Sequence, residues 1–92
     1  MIRSLKCADT EALAMGFRVR RFGNIEKVAR RKLRQLEIAG RLDDLRVPPG
    51  NRLEALKGER SGRYSICIND QWRFCFHWDE DGAEDVEIVD YH

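Results

Sequence analysis

The sequence has few cysteines, few prolines and no long apolar runs, and these shortages exclude several classes of protein. Its three cysteines, Cys7, Cys67 and Cys75, are odd in number and form no Cys-x-x-Cys pair, so neither a disulfide framework nor a zinc site is indicated. No apolar run approaches the roughly 20 residues of a membrane-spanning helix, and the first residues lack the apolar stretch of a secretory signal. The sequence therefore predicts a cytosolic protein without membrane contact, whose thiols are buried and reduced.

Motifs for cofactor-dependent chemistry are also absent. The sequence has no nucleotide-binding glycine loop, no serine elbow and no metalloenzyme signature. We therefore predict no cofactor and no metal, which leaves acid–base catalysis by side chains. A chain of 92 residues can bury one core but not two. We predict a single domain over residues 1–92, with one sheet and helices on one side of it.

The charges are divided unequally along the chain. Residues 1–41 hold 11 Lys and Arg against 4 Asp and Glu, whereas residues 42–92 hold 6 against 12. This polarity indicates either a polyanionic partner for the first half or a solvated surface whose charges compensate within the molecule. Composition alone leaves both interpretations open.

The strongest local pattern is the alternation of large apolar residues on both sides of Asn-Asp-Gln at 69–71, which is typical of a β-hairpin. A three-residue loop places Ile66 opposite Phe74, whereas a two-residue turn would set the aromatic face of one arm against the polar face of the other. We therefore predict the three-residue loop. The opposite face is predicted to be exposed and to carry Arg63, Ser65, Cys67, Arg73, Cys75 and His77.

A basic amphipathic helix is predicted between an N-cap at Asn24 and a stop at Gly40. Its apolar positions pack on the aromatic face of the hairpin. Its outer surface carries the basic stripe, which we define as Lys27, Arg30, Arg31 and Arg34, with Lys32 placed alongside. Because a solvated face usually mixes charges of both signs, this stripe predicts contact with nucleic acid or an acidic protein.

The other predicted elements are short. They are a strand at 1–7, a helix over 11–15 that Asp9 or Thr10 caps and Gly16 ends, a basic loop with Arg18, Arg20 and Arg21, a helical turn at 41–46, a connector at 47–51, an extended segment at 52–56 and a last strand at 85–91.

Five residues are candidates for acid–base chemistry on an anionic substrate: Lys57 on a glycine-bearing loop, Arg73 on the hairpin, and Asp90, Tyr91 and His92 at the chain end. RNA suits such a set, since its 2′-hydroxyl is a built-in nucleophile. The enzyme then needs a base, a cation for the phosphorane and an acid for the departing 5′-oxygen. Each residue also has an ordinary structural interpretation as a surface charge, a core edge or a chain end.

Four segments together resemble the HigB branch of the RelE/ParE toxin superfamily, also known as plasmid maintenance system killer proteins. They are Leu-Lys-Gly-Glu-Arg at 56–60, Tyr-Ser-Ile at 64–66, Asn-Asp-Gln-Trp-Arg-Phe-Cys-Phe at 69–76 and Asp-Tyr-His at 90–92. The GraT-like members are the most similar, through Cys-Ala-Asp-Thr-Glu-Ala-Leu at 7–13, Pro-Pro-Gly-Asn-Arg-Leu-Glu at 48–54 and Val-Glu-Ile-Val-Asp-Tyr-His at 86–92.

The resemblance implies an α+β fold with two N-terminal helices on one face of an antiparallel sheet. It also implies a toxin that cleaves mRNA on the ribosome and a partner antitoxin of the HigA type with a helix-turn-helix. The toxin is then expected to reach operator DNA only through this antitoxin. Lys57 and Arg73 match the family's phosphate-contacting cations, and Asp90, Tyr91 and His92 match its catalytic C-terminus. One branch has a histidine where this chain has Glu54, so the resemblance leaves three alternatives for the general base: Glu54 serves, His92 serves alone, or the site is slower.

Two hypotheses follow. The first is a ribosome-dependent endoribonuclease whose basic residues grip RNA; these are Arg18, Arg20, Arg21, Lys27, Arg30, Arg31, Arg34, Arg60 and Arg63. The second is a non-catalytic toxin like the ParE branch, which inhibits DNA gyrase. The arginine on the hairpin and the terminal Tyr-His favour the first.

Overall fold

The computed structural model describes residues 1–56, 62–79 and 82–90. Two helices, α1 (Ala8–Ala14) and α2 (Glu26–Ile38), precede a four-stranded antiparallel sheet, with 3-10 turns at Arg20–Phe22, Leu42–Arg46 and Pro49–Asn51. The strands are β1 (Glu54–Ala55), β2 (Arg63–Cys67), β3 (Trp72–Asp79) and β4 (Gly82–Asp90), and they lie in the order β1-β2-β3-β4. The predicted α+β class is confirmed.

The β2–β3 hairpin has the predicted register. Ile66 pairs with Phe74 and Tyr64 with Phe76. The N–H of Ile68 donates to the carbonyl of Trp72 at 2.9 Å, which closes the three-residue loop. Inside the loop the Asn69 side-chain oxygen accepts from the N–H groups of Gln71 and Trp72, both at 2.8 Å. The side-chain oxygen of Asn69 thus takes the place of a backbone carbonyl as the acceptor, and this stabilises the turn.

The core lies between the aromatic face of the sheet and the two helices. Phe74 and Phe76 are fully buried, as are Ala29 and Leu36 of α2, while Phe22 packs edge-to-face on Trp72 with ring centroids 5.3 Å apart. On α2 the buried apolar residues recur every three or four positions, and on the strands they recur every two. The two sets pack against each other and form one core. Both α1 and α2 lie on the aromatic face, so neither helix covers the other face of the sheet.

The predicted strand at residues 1–7 is wrong. This segment runs beside β4 but makes only two isolated parallel bridges, Ile2 with Ala83 and Leu5 with Val86. The two backbones approach so closely that a Cβ on Gly82 would collide with the carbonyl oxygen of Met1. Glycine is therefore required there. The segment covers the edge of β4 without forming a regular ladder.

Both predicted N-caps are wrong as well. Cys7 precedes α1, and its sulfur accepts from the N–H of Thr10. Thr10 is instead buried, where its hydroxyl accepts from the N–H of Ile88 at 3.1 Å. Ile25, without a side-chain cap, precedes α2 where Asn24 is predicted. The stop of α1 is as predicted, since Gly16 has a φ of +95° and follows Met15, the C-cap of the helix.

The last strand begins at Gly82 rather than at Asp85. His77 pairs with Glu84 and Cys75 with Glu87, so β4 holds one extra residue between these pairs. Asp85, with a φ of +52°, lies in this bulge. Beyond it Val86 and Ile88 are buried, as the alternation predicts.

Candidate functional site

Arg73 lies near the start of β3 on the face of the sheet that the helices leave free. Its Nη2 donates to the carbonyl oxygen of Arg52 at 2.9 Å, and its Nη1 lies 3.8 Å from a carboxylate oxygen of Glu54. The side chain is only 11% exposed. The prediction that this face is exposed is wrong at its centre, where Ser65 and Cys75 are buried. Arg73 lies across the sheet toward partners that precede β2, so it helps to cover this face.

Glu54 belongs to β1 at the edge of the sheet, opposite Ser65 of β2. Its side chain is 55% exposed. The structure thus brings together two of the predicted catalytic residues, a largely covered guanidinium and an accessible carboxylate, from positions 19 residues apart in the chain. A guanidinium can bind phosphate oxygens in a forked geometry, and a carboxylate can accept a proton.

Asp90 is placed differently from Arg73. It pairs with Trp72, whereas Arg73 pairs with Val89. Because side chains alternate between faces along a strand, Asp90 shares the helix-packed face with Trp72 and lies on the opposite side of the sheet from Arg73. Its carboxylate accepts from Gln71 Nε2 at 3.2 Å. The predicted residues Lys57, Arg60, Tyr91 and His92 lie outside the described residues.

The basic stripe on α2 is mostly accessible. Lys27, Arg31 and Arg34 are exposed, whereas Arg30 is half-buried. Arg30 donates to the carbonyl of Phe17 at 3.1 Å and lies 3.6 Å from a carboxylate oxygen of Glu26. Three cations of the stripe therefore face solvent, and the fourth ties α2 to the segment after α1.

The other predicted RNA-binding arginines differ in their surroundings. Arg18 and Arg20 are exposed. Arg21 lies over the ring of Phe22, 4.7 Å from the centroid, with Asp9 at 3.5 Å. Arg63 is largely covered and donates to the carbonyl of Asp85 at 3.3 Å, with a Glu87 carboxylate oxygen at 3.5 Å. The exposed members are thus concentrated before and along α2.

Lys32 is not on the outer surface, where it is predicted. It is 5% exposed, and its ammonium donates to the side-chain oxygen of the fully buried Asn51. Burial lowers the pKa of Lys32, the nearby charge of Arg31 lowers it further, and Cys67 raises it. The helical spacing contained this signal, since Lys32 stands three residues after Ala29 and four before Leu36, which are both buried.

A family model describes residues 18–92, and its description is a RelE-like toxin of the type II toxin-antitoxin system HigB. The chain belongs to this family. The HigB-like region contains α2 and the whole sheet, including Arg73 and Glu54, whereas α1 precedes it.

Two relatives are similar to the chain, and the first is itself a HigB toxin. The HigB-like chain is 47% identical over 69 residues to Toxin HigB-1 of Vibrio cholerae serotype O1, a match that covers 75% of this chain and 72% of that toxin. It is 36% identical over 65 residues to an uncharacterized protein of Haemophilus influenzae, covering 71% of this chain and 64% of the relative. A toxin of this family belongs to a toxin–antitoxin pair, so an antitoxin partner is implied. The closer likeness to GraT-like members stays a prediction.

In the part of the chain that the structure describes, no helix of this HigB-like toxin combines the length and the apolar character that crossing a membrane requires.

Proposed function

We propose that this toxin is a ribosome-dependent endoribonuclease that cleaves mRNA by acid–base chemistry without a metal. The observation that carries the proposal is the pairing of Arg73 with Glu54 on the helix-free face. A cation for phosphate and a proton acceptor are the two groups that attack by a 2′-hydroxyl needs first. Membership of the HigB family also supports the proposal, because that family consists of RelE-like toxins of type II toxin-antitoxin systems.

In this mechanism the 2′-oxygen attacks the adjacent phosphorus while a base removes its proton. Negative charge accumulates on the phosphorane oxygens, and the guanidinium of Arg73 stabilises it. The bond from phosphorus to the 5′-oxygen then breaks, and an acid protonates the leaving oxygen. The products are a 2′,3′-cyclic phosphate and a 5′-hydroxyl.

The remaining roles are assigned as proposals. Glu54 or His92 is the base, His92 or Tyr91 is the acid, and Lys57 is a second phosphate contact. Asp90 does not contact the phosphate that Arg73 binds, because the register places it on the other face of the sheet from Arg73.

The partners are proposed on the same basis. The exposed cations of the stripe and of the loop before it contact rRNA phosphates, which a basic surface attracts without regard to sequence. The antitoxin is a HigA-type helix-turn-helix protein, and the toxin reaches operator DNA only through it.

The test compares two assays with the same purified toxin. Ribosomes programmed with an end-labelled mRNA report cleavage, and DNA gyrase with relaxed plasmid reports inhibition of supercoiling. We expect cleavage on the ribosome and no effect on gyrase. Inhibition of supercoiling without any cleavage would replace the proposal by the gyrase hypothesis.

A further inference from the structure

A buried polar cluster connects α2 with the segment before β1. We call Lys32, Gln35, the Leu45 carbonyl and Asn51 the Asn51 cluster. Asn51 is fully buried, and its side-chain nitrogen donates to the carbonyl of Leu45 at 3.0 Å and to Gln35 Oε1 at 3.1 Å. Its side-chain oxygen accepts from the ammonium of Lys32. Both ends of the amide are therefore used, as a buried amide requires.

The lysine in this cluster is costly. Taking an ammonium out of water is unfavourable, and here it meets a neutral amide oxygen. An apolar side chain of similar length would avoid this cost but would leave the buried Asn51 oxygen without the ammonium, so the ammonium serves to hold Asn51. A role beyond packing would account for the lysine.

The residue after Asn51 provides that role. Arg52 has a φ of +47°, a left-handed conformation that is uncommon outside glycine and persists where the surroundings hold it. Its N–H donates to the carbonyl of Pro49 at 3.1 Å. Its own carbonyl points to Arg73 and accepts from the guanidinium at 2.9 Å. The direction of this carbonyl therefore depends on a backbone whose adjacent residue, Asn51, is locked into the core.

We infer that Lys32 and Asn51 are positioning residues for Arg73. They act on the guanidinium indirectly, by fixing the Arg52 carbonyl that orients it. This inference rests on the proposed function, in which Arg73 stabilises the phosphorane. A displacement of a catalytic group by about 1 Å can lower a rate by about 10².

The test is a double-mutant cycle with Lys32→Met and Arg73→Ala. Lys32→Met keeps a long apolar side chain and removes the ammonium. We expect it to lower single-turnover cleavage of ribosome-bound mRNA by about 10- to 100-fold while ribosome affinity changes by less than about twofold. In the Arg73→Ala background the same substitution should change the rate by less than about twofold, because coupled residues are not additive. Equal losses in both backgrounds, or no loss in the first, would overturn the inference.

Two further variants separate positioning from stability. Leu13→Ala removes a buried side chain of α1 and serves as a destabilised control outside the cluster. The assay is run well below the melting temperatures of Leu13→Ala and Lys32→Met, and we expect Leu13→Ala to cleave at the wild-type rate. If its cleavage rate falls as far as that of Lys32→Met, the Asn51 cluster has only a structural role. Should Lys32→Met fail to fold, Gln35→Met removes the half-buried acceptor of the same cluster and is judged by the same cycle.

A measurement without RNA distinguishes failure of this inference from failure of the proposed function. Nitrogen-15 relaxation of arginine side chains reports how ordered each guanidinium is. We expect the Arg73 guanidinium to be ordered in the wild type and mobile in Lys32→Met, with the exposed Arg46 unchanged. If the wild type does not cleave mRNA, the proposed function is wrong, and this measurement alone decides the positioning link. An Arg73 guanidinium that stays ordered in the variant would overturn that link.

Discussion

The guanidinium of Arg73 donates to the backbone carbonyl of Arg52 at 2.9 Å, closer than the Glu54 carboxylate oxygen at 3.8 Å. A carbonyl orients a guanidinium without neutralising its charge. Glu54 lies farther off, at 3.8 Å, and is 55% exposed, so a phosphate can displace it from the cation. The arrangement suits a residue that must be fixed in direction and still attract an anion.

The hairpin register predicts unequal stability losses for two neighbouring residues. Phe74→Ala should lower the free energy of unfolding by about 3–5 kcal/mol, because it leaves a cavity between sheet and helices. Arg73→Ala should lower it by about 1 kcal/mol, the net value of a typical hydrogen bond. Urea unfolding followed by tryptophan fluorescence measures both. Similar losses would contradict the division of the sheet into a core face and a site face.

Burial of Lys32 predicts a pH dependence of stability. Its pKa in the folded state is lowered from 10.5, chiefly by burial, so between that lowered pKa and 10.5 the unfolded chain binds more protons than the folded one. Stability must then rise with pH across this window, since the penalty for burying the charged form disappears. Urea unfolding of the wild type and Lys32→Met between pH 7 and 10.5 isolates this contribution from other titrating groups. As pH rises, we expect the free energy of unfolding of the wild type to increase relative to that of the variant. A difference between the two free energies that stays constant or falls would show that the ammonium is not desolvated.

The exposed part of the basic stripe predicts salt-dependent ribosome binding. Arg31→Glu with Arg34→Glu should weaken affinity, and the plot of log affinity against log salt should become shallower by about one unit for each lost phosphate contact. Arg30 is a poor choice, because Glu26 and the Phe17 carbonyl already engage it. The control is Arg41→Glu with Arg46→Glu, which makes the same charge change at exposed positions outside α2. Equal weakening by both pairs would assign the effect to net charge rather than to the stripe.

Much of this fold could be predicted from local pattern. The strict alternation around Asn69 determines the register of β2 and β3, because a slip by one residue would move every aromatic side chain to the other face. Signals of one or two residues were less reliable. Asn24 is a preferred N-cap residue, yet the preceding 3-10 turn shifts the start of α2 so that Ile25 occupies the cap. Tertiary packing overrode a weak local preference there.

The site was harder to predict, because it is built from long-range contacts. Arg73 and Glu54 are recognisable as candidates one at a time, but only the antiparallel pairing of β1 with β2 brings them together. The Asn51 cluster was not predicted at all. Lys32 matches the neighbouring basic residues in type, and only its phase on the helix, in line with Ala29 and Leu36, distinguishes it from the stripe.

The proposed chemistry predicts which changes abolish cleavage without unfolding the toxin. The phosphorane carries charge that the ground-state phosphate lacks, so Arg73→Ala should lower the single-turnover rate by about 10² or more. Arg73→Lys should recover only part of this rate, because a lysine cannot reproduce the forked geometry. Removal of His92 should lower the rate by about 10² to 10⁴ if it transfers a proton, and Glu54→Gln should do so if Glu54 is the base.

The four variants are compared on ribosome-bound mRNA alongside thermal melts and ribosome binding. Loss of cleavage in both Glu54→Gln and the variant without His92 assigns the base to Glu54 and the acid to His92. Loss in Glu54→Gln alone assigns the base to Glu54 and the acid to Tyr91, and loss without His92 alone assigns the base to His92. Products must end in a 2′,3′-cyclic or 3′-phosphate, because the nucleophile is the 2′-hydroxyl. If Arg73→Ala, Glu54→Gln and the variant ending at Tyr91 all melt normally and cleave at the wild-type rate, the chemistry lies elsewhere and the proposed mechanism must be abandoned.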